Sequence, residues 1–201
     1  LKALCDQAAE ETMPGRVLNV RPGLIVGPYD PSDRFTYWPD RVARGGDILA
    51  PGSPAREIQF IDVRDLADWI LRAIEGAQTG VFNATGPEEP LTMLGFLETC
   101  RHTVGSAEDE RDLVWVDDDF LVEKGVAPYT EIPLWIPGEH DTVNCRRAMT
   151  AGLSFRLVEE TIQDTLRWDI ERRVANCGIE RRCGLSPERE AELLRAYAAK
   201  A

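Results

Sequence analysis

Apolar residues recur along the chain with two spacings, one typical of helices and one typical of buried strands. Helical spacing over residues 1–12 predicts an amphipathic helix that ends near Pro14-Gly15 and packs one face on a sheet. Residues 16–26 are rich in β-branched side chains and predict a single buried strand. Glycine, proline and aspartate over residues 27–33 predict a loop. The chain therefore starts as helix, strand and loop.

The same spacings predict the elements that follow, with capping residues marking several boundaries. Helices are expected over 37–43, from Val63 to a stop at Gly76, from an N-cap at Thr92 to 104, over 118–124, over 158–170, and from Ser186-Pro187 onward; strands are expected over 47–50, 57–62, 80–84 and 113–116. Strands that alternate with helices favour an α/β fold with a parallel sheet.

The net charge of the chain disfavours some classes of binding partner. The 201 residues carry a formal net charge of −12 and a pI near 4.7, which disfavours binding to nucleic acid or to an anionic membrane. No apolar run approaches the roughly 20 residues that span a bilayer, and the start lacks the layout of a signal peptide. We expect a cytoplasmic soluble protein with no nucleic-acid and no membrane partner.

Cysteines and acidic residues give no metal signature. The five cysteines are an odd number at irregular spacing, which favours reduced thiols, and the close pair Cys177 and Cys183 lacks further ligands for zinc. The acidic run 117–119 is typical of a helix start rather than of a calcium loop. His102 and His140 have no nucleophile beside them, so a hydrolase triad is not supported. We expect no metal.

Three segments carry a family resemblance: RPGLIVGP at 21–28, FIDVRDLADWI at 60–70 and TGVFNATG at 79–86. In this order and spacing they resemble the C-terminal portion of the extended short-chain dehydrogenase/reductase family, the NAD-dependent epimerases and dehydratases. In that family a Tyr-x-x-x-Lys motif precedes the first of these segments, and Leu1-Lys2 would be its last two positions. The motif's Tyr and the glycine-rich cofactor turn would lie upstream, so we interpret the chain as a C-terminal fragment that is inactive alone.

The resemblance implies a C-terminal part of a Rossmann-like parallel sheet and a smaller mixed α/β substrate-binding domain. Residues 1–26 and 57–104 would belong to the Rossmann-like part, and residues 27–56 and 105–201 to the substrate-binding domain. A sheet without its first strands would expose an open edge and an uncovered apolar face, both of which promote aggregation.

The resemblance also implies a catalytic and cofactor-binding role for Lys2. The family's Lys bonds the cofactor ribose and favours the phenolate of the Tyr, whose ordinary pKa near 10 is too high for acid–base work at neutral pH. The alternative is a solvated Lys on a helix face. Pro22, Gly23, Leu24 and Ile25 match the segment whose backbone meets the nicotinamide, where Gly would admit close approach. The alternative there is a strand end that needs a turn, as it is for residues 83–86.

A polar and aromatic cluster follows the first strand. We expect its members to contact a small-molecule substrate because they lie in a loop after that strand; they are Asp33, Arg34, Tyr37 and Trp38. The alternative is a loop that packs Phe35 and Trp38 into the smaller domain. Asp62 and Asp65 lie at a helix start, where capping is the favoured interpretation.

One departure from the family pattern bears on the substrate. Nucleotide-sugar epimerases commonly place an Arg where this chain has Ile58 and a His where it has Asp62, and Arg56 lies on the same strand face as Ile58. The departure favours a reductase or dehydrogenase that uses NAD or NADP on a small carbonyl or alcohol. A nucleotide-sugar epimerase or dehydratase and a non-catalytic binding or sensor module remain alternatives. A homodimer through long helices would be ordinary for the family.

Overall fold

The computed structural model describes residues 1–105, 112–138, 142–175 and 181–200. Helices and strands alternate along most of these residues. In chain order they are α1 (Lys2–Thr12), β1 (Leu18–Pro22), β2 (Leu24–Val26), α2 (Tyr37–Arg44), β3 (Ile48–Pro51), β4 (Glu57–Asp62), α3 (Val63–Glu75), β5 (Gly80–Ala84), β6 (Gly86–Thr92), α4 (Met93–Val104), β7 (Leu113–Val116), α5 (Asp118–Glu123), α6 (Arg146–Thr150), α7 (Val158–Ala175) and α8 (Pro187–Ala198).

The chain divides into two compact units. Unit 1 contains Leu1–Ile25, Gln59–Glu89 and Thr142–Arg156, and unit 2 contains Val26–Ile58, Pro90–Asp141 and Leu157–Ala201. The sequence-based boundaries assigned α4 to the Rossmann-like part and residues 142–156 to the substrate-binding part. In the structure α4 lies in unit 2 and residues 142–156 lie in unit 1.

The predicted elements need three corrections, two for strands and one for a helix. The single strand predicted over 16–26 is wrong: it is two strands, β1 and β2, separated at Gly23, and β2 joins a three-stranded sheet of order β2, β4, β6 instead of the β1 and β5 pair. Strand β6 was missed because Pro87 and Pro90 make its sequence a poor strand former. Helix α6 was missed because five residues are too few for a helical repeat to show.

Unit 1 is built on a parallel pair of strands covered by a helix. β1 and β5 pair in register from Leu18 opposite Gly80 to Pro22 opposite Ala84. One side of α3 packs on them, and the buried core contains Ile61, Leu66, Trp69, Ala73, Phe82, Ala84, Ala148 and Leu153. Trp69 is fully buried, and its indole Nε1 donates to the carbonyl of Ala151 at 3.1 Å, which ties α3 to the segment after α6.

Helix α1 belongs to unit 1 but has no buried residue. Its predicted bounds are confirmed, while Leu4 on its apolar face is 65% exposed. The helix is fixed to β1 by an ion pair in which Arg21 donates through Nε and Nη2 to Asp6 Oδ2, at 3.0 and 2.6 Å. The prediction that α1 packs its apolar face on a sheet is therefore wrong, because none of its residues is buried.

Unit 2 is built on the parallel pair β3 and β7 together with helices α2, α4 and α7. The two strands pair from Ile48 opposite Leu113 to Pro51 opposite Val116. Helix α2 packs against both α4 and α7, and the rings of Phe35 and Phe96 lie 5.4 Å apart in the core. Parallel strands in both units confirm the predicted α/β class.

Helix starts follow the predicted caps. Thr92 Oγ1 accepts from the amide of Gly95 at 3.0 Å, and Ser186 Oγ accepts from the amide of Arg189 at 3.2 Å. These bonds satisfy amides that the first helical turn leaves free. Among the described residues, no helix has the length and apolar character needed to cross a membrane.

Candidate functional site

The first candidate site is the carboxyl end of the parallel pair in unit 1. The amide of Gly23 donates to the carbonyl of Ala84 at 3.1 Å, so the backbone stays attached to β5 just beyond the end of β1. Pro22, Gly23 and Ile25 are exposed, and Leu24 is half-buried. In open α/β sheets ligands bind outside the carboxyl ends of the strands, so this exposed segment is placed where a ligand would meet backbone.

Gly23 has a second structural reason to be glycine. A Cβ at this position would lie 2.3 Å from Thr85 Oγ1 and 2.7 Å from Thr85 Cβ, closer than real side chains pack. The sequence predicts that glycine here admits a cofactor. In the structure, the space that a Cβ of residue 23 would occupy is filled by Thr85. Thr85 Oγ1 is itself buried without a hydrogen-bond partner in the described part of the chain. A buried hydroxyl in that state is costly.

Lys2 lies on the surface of α1, and its side chain has no ion pair or hydrogen bond with any described residue. Residues four apart share a helix face, so Lys2 lies on the same face as Asp6. Asp6 is bound to Arg21, the residue before Pro22. The ion pair therefore connects the face of α1 that carries Asp6 and Lys2 to Arg21 of β1.

Cys145 lies beside this strand end. Burial raises the pKa of the Cys145 thiol, and hydrogen bonds from its own amide and from the amide of Thr85 offset part of that rise. Its Sγ lies 3.8 Å from Met149 Sδ. A thiol with a raised pKa stays protonated at neutral pH, so it is a poor nucleophile.

The predicted substrate cluster lies in unit 2, and three of its four members are buried. Asp33 is 1% exposed, Tyr37 2% and Trp38 0%. Trp38 Nε1 donates to the carbonyl of Pro133 at 3.0 Å. Burial raises the pKa of Tyr37 well above its ordinary value, with a further rise from the charge of Glu190. These positions match the alternative interpretation, in which the loop packs its aromatic residues inside.

Arg34 is the half-buried member of the cluster. Its Nε donates to the carbonyl of Tyr129 at 3.3 Å, and the guanidinium carbon lies 5.8 Å from the centroid of the Tyr129 ring. Arg34 is therefore the member of the cluster whose charged group is accessible to solvent.

Loop 27–33 is held in an unusual backbone conformation. Tyr29 and Asp33 have φ angles of 69° and 58°, in the left-handed region that favours glycine. Tyr29 is nonetheless 80% exposed, and its ring centroid lies 5.5 Å from that of Trp168. The Arg172 guanidinium carbon lies 4.5 Å from the centroid of the Trp168 ring. Sequence reasoning missed this contact between the exposed Tyr29 and the half-buried Trp168, because the two residues are 139 residues apart.

A network of buried ion pairs holds loop 27–33 in place. Asp169 is fully buried and accepts from Arg172 at 2.6 Å and from Arg181 at 2.6 Å. Arg172 also donates to Asp33 at 2.7 Å. Arg181 also pairs with Asp40 at 3.1 Å. Buried charges persist only when they are paired in this way, so Asp33 is a structural anchor of the loop.

The remaining predicted residues have structural partners. Asp62 caps α3 by accepting from the amide of Arg64 at 2.9 Å, which confirms the capping interpretation for this residue. Asp65 instead accepts from Arg156. Arg56, which could have replaced the missing arginine of the family pattern, donates to Asp118 at 2.5 Å.

Titratable groups form no metal cluster within the described ranges, where no set of three or more His, Cys, Asp or Glu residues could hold an ion. His102 Nδ1 lies 2.8 Å from the carbonyl of Glu98 in its own helix. His140 and Cys177 lie outside the described residues.

The chain matches no family model and no curated protein. Solved structures do match. RMD from Pseudomonas aeruginosa, solved with NADPH, is 18% identical with a TM-score of 0.55 over 84% of this chain and 53% of its own. The dTDP-glucose 4,6-dehydratase from Bacillus anthracis, solved with NAD, is 16% identical with a TM-score of 0.56 over 86% of this chain and 50% of its own.

A third match is the UDP-N-acetylglucosamine 4-epimerase from Methanobrevibacter ruminantium in complex with UDP-N-acetylmuramic acid. It is 16% identical, with a TM-score of 0.58 over 84% of this chain and 51% of its own. The chain thus spans about half the length of the structures it matches. At this identity the likeness establishes the fold, which is that of NAD(P)-dependent epimerase/dehydratase enzymes and confirms the predicted fold class.

Proposed function

We propose that this chain forms the carboxyl-terminal part of an NAD(P)-dependent oxidoreductase of the epimerase/dehydratase type, acting on a small carbonyl or alcohol. The observation that carries the proposal is the end of β1, where an exposed backbone segment, an unpartnered buried hydroxyl and a lysine-bearing helix belong to one unit. The fold likeness to enzymes solved with NAD or NADPH supports it.

The cofactor would supply or accept a hydride when bound. Pro22, Gly23, Leu24 and Ile25 would hold its amide end through backbone groups, since the side-chain space above Gly23 is taken by Thr85. The hydroxyl of Thr85 fits a polar ligand at this edge, because a small backbone shift would give it the partner it lacks.

Lys2 would carry the positive charge of the reaction centre. An ammonium there attracts ribose hydroxyls and lowers the pKa of a nearby phenol, which is the requirement for a tyrosine acid–base at neutral pH. The ion pair between Asp6 and Arg21 would keep this helix face at the strand end.

For the substrate we revise the role of the predicted cluster. Tyr29 is exposed and Arg34 half-buried, so these two would contact a substrate. Asp33, Tyr37 and Trp38 would act indirectly, because all three are buried, Asp33 is paired with Arg172 and Trp38 is bonded to Pro133.

A second candidate is a nucleotide-sugar epimerase or dehydratase. The likeness in fold to a dTDP-glucose dehydratase and to a UDP-N-acetylglucosamine epimerase favours it. The engagement of Arg56 with Asp118 speaks against it, because that guanidinium is not free for a diphosphate. Nucleotide sugars that raise the melting temperature of the complete protein would favour this candidate. A non-catalytic module of the same fold is the third.

The experiment is to isolate from the native source the product that carries this chain, and to determine its intact mass and amino-terminal sequence. The proposal expects a tyrosine three residues before Leu1 and a glycine-rich turn further upstream. A glycine-rich turn without that tyrosine would favour the non-catalytic module. A product without either feature would overturn the oxidoreductase.

A further inference from the structure

An open pocket of about 550 Å³ lies in unit 1. It is bounded by the approach to β5 and by helix α6, with Phe82 of β5 at its base. The lining residues are Gln78, Phe82, Arg146, Arg147, Thr150 and Ala151. Arg147 Nη2 donates to the carbonyl of Thr79 at 3.3 Å, which places the pocket toward the amino end of β5.

Arg147 is built into the wall of this pocket. Its guanidinium carbon lies 4.4 Å from the centroid of the Phe82 ring, within the range of a cation–π contact. Gly80 has a φ of 101°, and a Cβ there would lie 2.6 Å from Arg147 Nη2. The strand therefore uses glycine where the guanidinium approaches, and this approach fixes the plane of Arg147.

The pocket carries two positive charges that no described acid neutralises. Arg146 has no side-chain ion pair or hydrogen bond with the described residues, and Arg147 meets a carbonyl and a ring rather than a carboxylate. None of the described lining residues is Asp or Glu. In a chain with 35 acidic and 23 basic residues, two adjacent unneutralised arginines are a local exception. Most of such a surface repels anions, so this pocket is a place where one can bind.

We propose that this pocket binds a small organic anion through its phosphate or carboxylate group. The planar guanidinium of Arg146 would pair with two oxygens of that group. Gln78 and Thr150 would bond the body of the ligand, and Phe82 and Ala151 would contact its apolar part. The volume lies within the usual range for small-molecule sites and exceeds the needs of an isolated inorganic ion.

The test is an NMR titration of the ¹⁵N-labelled complete protein that carries this chain, at low ionic strength, following the Nε–H signals of its arginines. Phenyl phosphate, benzoate and benzyl alcohol are the probes, because they share a ring and differ in the polar group. We expect saturable shifts of the Arg146 and Arg147 signals with at least one anion, half-saturation on the order of 1 mM, and no shift with the alcohol. Tighter binding of phenyl phosphate than of benzoate would identify a phosphate ligand. Tighter binding of benzoate would identify a carboxylate ligand.

Variants R146Q and R16Q make the test specific. Arg16 is exposed and its side chain has no partner among the described residues, so R16Q removes the same charge elsewhere in unit 1. R146Q should weaken anion binding by at least about tenfold and R16Q by less than about twofold. Equal affinities in the two variants, or no saturation with either anion by 20 mM (about twentyfold the expected half-saturation), would overturn the proposal. Neither result depends on the proposed oxidoreductase function.

Discussion

Asp6 of helix α1 and Arg21, near the end of strand β1, form an ion pair with 2.6 Å between Asp6 Oδ2 and Arg21 Nη2. The bond spans 15 residues and places a helix without buried residues against the strand end. The two side chains are 28% and 52% exposed, and an exposed pair of this kind contributes less than about 1 kcal/mol to stability. Its effect should therefore appear in positioning rather than in stability.

Replacing Arg21 by Gln should separate these two effects in the complete protein. The free energy of unfolding should fall by less than about 1 kcal/mol, because the pair is solvent-screened. The KM for the nicotinamide cofactor should rise severalfold, because the Lys2 face of α1 is no longer fixed. Urea unfolding and steady-state kinetics measure the two. The charge-matched variant R16Q should change neither, and equal KM values for R21Q and R16Q would contradict the positioning role.

Thr85 allows a prediction in which stability and function move in opposite directions. Its hydroxyl is buried and lacks a partner in the described chain, so T85V should keep or raise the melting temperature. If the hydroxyl bonds the cofactor, the same variant should weaken cofactor binding several-fold, since a methyl group cannot donate. Thermal unfolding and a cofactor titration test both. A lower melting temperature with unchanged cofactor affinity would show that the hydroxyl serves the fold alone.

The local features of this fold were predictable because they depend on neighbouring residues. The N-caps at Thr92 and Ser186 bond amides three residues away, and the sequence marks them directly. The break at Gly23 was not predictable, because it depends on Thr85, which lies 62 residues later. Spatial partners of that kind decide whether a glycine serves a turn, a ligand or a neighbouring side chain.

The same limit applies to the candidate site. Asp33 follows a predicted strand in a polar loop, which is how a substrate-binding carboxylate looks in sequence. Its burial follows from Arg172, which lies 139 residues away. Composition could not reveal this pairing, since the chain has many other acidic and basic residues. The tilted ring contact between Tyr29 and Trp168 was not predictable for the same reason.

Removing one partner of a buried ion pair should strongly destabilise unit 2. Glu190 of α8 accepts from Arg41 Nε at 2.6 Å and from the amide of Leu49 at 3.1 Å, with both charged side chains less than a tenth exposed. E190A leaves an unpaired buried guanidinium and a free amide, so the free energy of unfolding should fall by about 3–5 kcal/mol.

The matched control for this prediction is E192A, on the same helix. The Glu192 side chain is 62% exposed and pairs with Arg189, so its removal should cost less than about 1 kcal/mol. Replacing Arg41 and Glu190 together by Met and Leu should recover part of the loss. Chemical denaturation measures all three, and an E190A cost near that of E192A would refute the argument.

Asp118 should make stability depend on acid pH. Burial alone would raise the pKa of Asp118, but hydrogen bonds from Arg56, Trp135 and the amide of Gly138 lower it below the ordinary value. A carboxyl whose pKa is lower in the folded state stabilises the protein above its unfolded-state pKa, about 4, and loses this effect as pH falls through the folded-state pKa.

D118N should therefore differ most from the wild type at neutral pH, and the difference should shrink below about pH 4. Urea unfolding between pH 7 and about pH 3 measures it. The neighbouring exposed Asp119 provides the control, since D119N removes the same charge without these bonds. A difference between D118N and wild type that stays constant with pH would contradict the origin of the lowered pKa.

The proposed function depends on a nicotinamide site at the end of β1. The most direct test is a fluorescence titration of NADH and NADPH into the purified complete protein, with wild-type Lys2 and with K2M. We predict saturable binding of at least one cofactor and at least about tenfold weaker binding in K2M, because the ammonium no longer bonds the ribose. Absence of binding by the wild type, or equal binding by K2M, would contradict the account.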